Sequence, residues 1–144
     1  MNIRKYNQIN INSGSYSQTN LKASNKIQFA NTKDNKLGIP FPKGTVRLFK
    51  TDQDDGSLEF LGEDSIDHTS KDENITIQTG NAFDITADKV VKNYRSYDNR
   101  GYSADLNLTV TNHKTIPAEI VVEYRKSYGD NLSVTWQPGS FTVN

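Results

Sequence analysis

The sequence has no cysteine, one methionine, one tryptophan, four prolines and two histidines in 144 residues. Without cysteine there are no disulfides, no thiol nucleophile and no thiolate metal site. Two imidazoles, His68 and His113, leave little for a histidine-rich metal centre. Charge of one sign is lacking too: 17 basic and 17 acidic side chains cancel to a net charge of zero. This removes the long-range attraction that polyphosphate partners exploit, so nucleic acid is not the expected ligand. No stretch approaches the roughly eighteen apolar residues of a membrane-spanning helix. The N-terminal stretch MNIRKYNQININSGS holds no apolar run and no small-residue cleavage site, so no signal peptide is visible. The compartment stays open, with an extracellular or cell-surface setting favoured over a cytoplasmic one. There is no glycine-rich phosphate loop and no Gly-x-Ser-x-Gly elbow, so nucleotide chemistry and a serine triad have no support.

What is present is polar. Only 33% of the residues are hydrophobic, too few for a multilayer fold with a fully buried parallel sheet. They suit strands that show one face to water. A chain of this length has room for one domain that buries roughly 68–70% of its unfolded surface. Sixteen asparagines and twenty-five serines plus threonines include three Asn-x-Ser/Thr patterns, at Asn74, Asn107 and Asn131. About three are expected by chance from that composition, so glycosylation is not inferred.

The apolar residues recur with period two. Residues 1–20 are polar, with Tyr6, Ile9 and Ile11 as anchors, and read as an N-terminal strand or an arm that pairs with another molecule. Residues 21–144 read as the main domain. Ile27 and Phe29 mark a short strand, and Pro40 and Pro42 keep their segment out of a central ladder. Val46 and Leu48 answer Leu58 and Phe60 across Asp54-Asp55-Gly56, a hairpin whose turn uses the positive φ that Asp-Gly tolerates. Ile75 and Ile77 form another strand, closed by Gly80-Asn81. Then come Val91–Tyr97, a turn at Asp98–Gly101, and the clearest strand, with Tyr102, Ala104, Leu106, Leu108 and Val110 in strict alternation. Ile120, Val122 and Tyr124 follow, then Leu132–Trp136 and a short Phe141–Val143. No window shows helical periodicity. The expectation is all-β: an antiparallel β-sandwich of about eight to ten strands, immunoglobulin-like or similar, with little or no helix. Its core is expected to hold Ile27, Phe29, Val46, Leu48, Leu58, Phe60, Ile75, Ile77, Leu106, Leu108, Val110, Ile120, Val122 and Trp136.

Three segments carry a resemblance: LGIPFPKGTVRLFK (Leu37–Lys50), DGSLEFLGEDSIDHTSKDE (Asp55–Glu73) and GNAFD (Gly80–Asp84). Together they resemble the C-terminal domain of mucoidy-inhibitor-A-like proteins, a domain of unknown function, over about Leu21 to Glu123. The resemblance implies a β-sandwich-like domain with no established activity, one that follows an N-terminal β-domain and a coiled coil in a longer protein. It hands over no catalytic residues. Ser70 stands where the family usually has proline. The chain also stops at Asn144 where similar proteins continue with strand-like sequence, which implies an open sheet edge.

Two constellations merit weighing as sites. Glu63, Asp64, Asp67, His68, Asp72 and Glu73 crowd together, and Asp64, Asp67 and His68 are the candidates for a metal such as Ca²⁺. The structural reading, in which these side chains cap turns, is stronger. Asp52, Asp54 and Asp55 before Gly56 do not keep the EF-hand spacing. Tyr94, Arg95, Tyr97, Arg100 and Tyr102, with Tyr124 and Arg125, interleave aromatics and cations, and make the expected surface for a protein or a glycan.

No cofactor and no catalytic residue are expected. The function read from the sequence is a non-enzymatic structural or protein-interaction module. It would self-assemble by strand pairing at an open edge or through the N-terminal arm, as a homo-oligomer or within a parent assembly. The alternative is a carbohydrate-binding module, or a metal-dependent polysaccharide hydrolase using the Glu63–Glu73 cluster.

Overall fold

A computed structural model describes residues 1–125. The expected strands at Leu132–Trp136 and Phe141–Val143, and Trp136 as a core residue, lie outside the described residues. Within them the protein is all-β. The strands are β1 (Ile3–Asn12), β2 (Gln18–Ala30), β3 (Gly44–Thr51), β4 (Leu58–Ile66), β5 (Asn74–Ser96), β6 (Tyr102–Asn112) and β7 (Ile120–Arg125), with 3-10 turns at Lys33–Asn35 and Asp98–Arg100. They form one five-stranded sheet in the order β6-β5-β2-β1-β7 and a two-stranded sheet of β3 and β4. Over residues 1–125 this is seven strands in two unequal sheets, where a sandwich of eight to ten was expected.

Pairing is antiparallel except between β1 and β7, which run parallel with Ile9 opposite Val122 and Ile11 opposite Tyr124. Period-two alternation suits either direction equally, so the sequence could not choose between them. The first strand is therefore an interior strand between β2 and β7, not a free arm. Asn7, Ile9 and Ile11 alternate inward, and both isoleucines are buried.

The core gathers Ile9, Ile11, Ala23, Ala82, Ile85 and Ala87, with Leu21, Val110, Ile120, Val122 and Tyr124 packed against it. Three of its six central residues are alanine, so the strands can curl around a small volume. Register shifts along β2 and β5 assist: β5 advances from Ala82 to Thr86 while β2 moves only from Ala23 to Lys22. Extra residues of this kind bend a strand and sharpen its twist. The same bulge pushes Phe83 outward, to 80% exposure.

β5 differs from the sequence expectation in being continuous. Gly80, at φ 135°, carries a register irregularity rather than ending the strand. The first part of β5 pairs with β2 (Asn74–Lys89), the second with β6 (Ile85–Ser96). One long strand thus joins the two halves of the sheet.

The β3–β4 hairpin turns at Asp52–Ser57 as its sequence predicts. The Asp52 amide donates to the Ser57 carbonyl, and Gly56 sits at φ 72°. One strand departs from expectation, however, because a register shift between Leu48 and Phe49 leaves Leu61 as an extra residue and turns Phe60 and Leu58 to the outer face. Val46, Leu48 and Ile66 are half-buried, whereas Leu58 and Phe60, expected in the core, are 67% and 54% exposed. Leu108, another expected core residue, is 36% exposed. The base of the hairpin is anchored by Asn31, whose side-chain amide donates to the carbonyls of Ile39 (2.7 Å) and Ser70 (3.0 Å) while its oxygen accepts from Gly38 N (2.9 Å).

Candidate functional site

The acidic stretch is occupied by structural duties. Asp64 Oδ1 accepts from its neighbour Ser65 N, and its Oδ2 accepts from Gln78 N at 2.9 Å, tying β4 to β5. Glu63 pairs with Arg47 Nε at 2.9 Å across the hairpin. Glu73 accepts from Ser70 N at 2.6 Å and closes the turn before β5. Asp67 and His68 are exposed, and the His68 ring nitrogen Nδ1 faces Lys43 N at 3.3 Å. Among the described residues no three His, Asp or Glu side chains converge, so Asp64, Asp67 and His68 are not brought together around one point. At the hairpin turn, Asp55 accepts from Ser57, and this hydrogen bonding holds its carboxyl below the usual carboxylate range.

The aromatic and basic residues divide between two places. Tyr94 and Tyr102 meet across the far end of the β5–β6 hairpin, with ring centroids 5.6 Å apart and planes at 30°. Tyr97 Oη lies 3.2 Å from Ser103 Oγ, and Arg95 is the register partner of that serine. Arg100 belongs to the 3-10 turn that joins the two strands. This end is held by Asn93, at φ 51°, whose amide donates to Asp105 Oδ2 at 2.6 Å. Tyr124 and Arg125 lie on β7, at the other end of the strand order. Tyr124 is half-buried against the core, and Arg125 Nε bonds Glu123 Oε1 at 3.0 Å. The expected single patch is therefore a tyrosine-rich hairpin end on one side and a core-facing tyrosine on the other.

Two features were missed by the sequence reading. The first is Lys89, 1% exposed. Its ammonium donates to the carbonyls of Asn12 (2.9 Å) and Gly14 (3.2 Å) and sits 5.0 Å from the Tyr16 ring centroid. No carboxylate pairs with it among the described residues. Burial pushes its pKa below the ordinary lysine value. It pins the β1–β2 turn onto β5. A charged residue within an alternating strand reads as solvent-facing, so no sequence signal marked it.

The second is the outward face of the β3–β4 hairpin. Phe49 and Phe60, opposite each other in register, meet edge-on at 5.6 Å, with Leu58 beside them. Phe49 is 51% exposed.

The sheet also has an edge. β6 has β5 as its only ladder partner among the described residues, and its other side is unpaired there. No described helix is long and apolar enough to cross a membrane. Compared with protein-family models, with curated proteins and with solved structures, the chain matches none.

Proposed function

We propose that the protein is a non-enzymatic structural and interaction module that engages a protein partner by accepting an added strand at β6. The observation that carries this reading is the chemistry of that edge. Natural sheets guard long edges with lysine, proline or bulges. β6 spans eleven residues with one charged side chain, Asp105, and contains neither lysine nor proline. The one irregularity in its ladder is an extra residue on β5, between Lys92 and Arg95. Along its inward side run Ala104, Leu106, Leu108 and Val110, which extend the apolar surface up to the open edge. The exposed tyrosine pair at the hairpin end adds a flat aromatic flank to the same surface.

The test is strand addition itself. A fluorescently labelled peptide with the sequence of Tyr102–Asn112, titrated with the protein, should give a saturable rise in anisotropy. It should also slow amide exchange along β6. The same peptide with proline in place of its central asparagine should bind far more weakly, because proline removes a ladder donor. A peptide that leaves both signals unchanged would overturn the reading.

A further inference from the structure

The partner at this edge follows from the order of residues along β6. Val110 lies opposite Ala87 and Leu106 opposite Val91, so the even-numbered residues of β6 share the core-facing side and the odd-numbered ones the outer side. Asn107 is the middle residue of the strand. When two β6 edges run antiparallel about Asn107, all eleven residues of each find an opposite number. Leu106 then meets Leu108, Ala104 meets Val110, Ser103 meets Thr111 and Asp105 meets Thr109.

Other registers do worse. Any slip that sets an even-numbered residue opposite an odd-numbered one turns the second copy's apolar side to water. A register centred on Asp105 sets two carboxylates face to face, and one centred on Leu106 leaves them diagonal neighbours about 7–8 Å apart. Centring on Leu108 leaves residues unpaired and sets Ala104 against Asn112. About Asn107 the two Asp105 side chains stand four residues apart, roughly 14 Å, beyond a Debye length of about 8–10 Å. The chain's net charge of zero adds no repulsion between copies. Leu108 and Tyr102, 36% and 43% exposed, lie along the seam.

We propose that β6 pairs antiparallel with β6 of a second copy of this chain, in register about Asn107, joining the two five-stranded sheets into one across a two-fold axis. The proposal rests on the strand-addition reading and names its partner.

The lack of cysteine makes the register directly readable. Asn107→Cys places one thiol on the two-fold axis, where it meets its own mate. Asp105→Cys and Thr109→Cys each stand about 14 Å from their own copies, beyond the roughly 7 Å between Cα atoms that a disulfide spans. Under mild oxidation Asn107→Cys should become a covalent dimer in large majority. Asp105→Cys and Thr109→Cys should stay mostly monomeric alone and cross-link when mixed. Light scattering of the parent chain should rise with concentration from 16.2 kDa to twice that mass and stop. A constant 16.2 kDa, with Asn107→Cys cross-linking no faster than Asp105→Cys alone, would overturn the proposal. If the Tyr102–Asn112 peptide still binds in that case, the edge accepts an added strand but two folded copies do not pair there, so strand addition stands and the dimer falls. If the peptide also fails, the strand-addition reading falls with it.

Discussion

The placement of the N-terminal strand makes a sharp stability prediction through Ile9→Ala. Ile9 is fully buried, lies opposite Val122 in register, and shares its cluster with Ala23, Ala82 and Ala87. Truncation of a buried isoleucine costs about 2–5 kcal/mol, the sum of a transfer term and a cavity term that grows when neighbours cannot collapse inward. Alanines have no side chain to swing into the gap, and a strand hydrogen-bonded on both sides cannot shift to close it. The cost therefore falls in the upper part of that range, about 4 kcal/mol, lowering Tm by roughly 10–15 °C for a domain of this size. Leu58→Ala is the matched control. Leu58 is 67% exposed on the outer hairpin face and should cost under about 1 kcal/mol. Urea titrations of both variants and the parent chain, fitted with a common m-value, give the comparison. If Ile9→Ala costs no more than Leu58→Ala, the first strand is peripheral and the sheet order described above is wrong.

Two further predictions test the ties between elements. Because burial lowers the folded-state pKa of Lys89, the unfolded chain binds more protons between that lowered value and 10.5. Stability should therefore rise with pH through this window. Lys89→Met should lack that rise, and a difference in urea midpoint between parent and variant that is independent of pH up to 10.5 would refute the account. At the contact between hairpin and sheet, a Cβ on Gly62 would stand 3.1 Å from Thr79 Cα and 3.3 Å from its carbonyl oxygen. Gly62→Ala should cost about 1–3 kcal/mol and speed exchange of the Gln78 amide as Asp64 is drawn away. Unaltered exchange there would mean that the hairpin does not depend on this close approach.

Most of the local structure was legible in the residues. Alternation at Tyr102–Val110 and at Ile120–Tyr124 became β6 and β7, and the Asp-Gly turn and the Asp98–Gly101 turn fell where their chemistry put them. The tyrosines of the β5–β6 hairpin were foreseen as neighbours because cross-strand pairing follows from turn position alone. The expected joining of Tyr124 and Arg125 to them does not occur, because β7 lies at the other end of the strand order, and alternation does not say which strands are neighbours across the sheet. Asn31 and Asn35 are polar side chains in the segment after β2, yet both are buried, since their side chains satisfy backbone groups that the segment leaves unpaired.

The sequence by itself determined that this protein is all-β, where the β3–β4 and β5–β6 hairpins turn, and that strand faces alternate, because period-two patterning and turn chemistry act over a few residues. Only the tertiary structure decided which of those faces meets the core. It placed Ile9 and Ile11 at the centre, left Leu58 and Phe60 in water, and sealed Lys89 beneath a turn. It also left β6 at an edge among the described residues. The physical reason is that alternation records which residues share a side. The burial of that side depends on partners far along the chain, and those are fixed only when the whole sheet has formed.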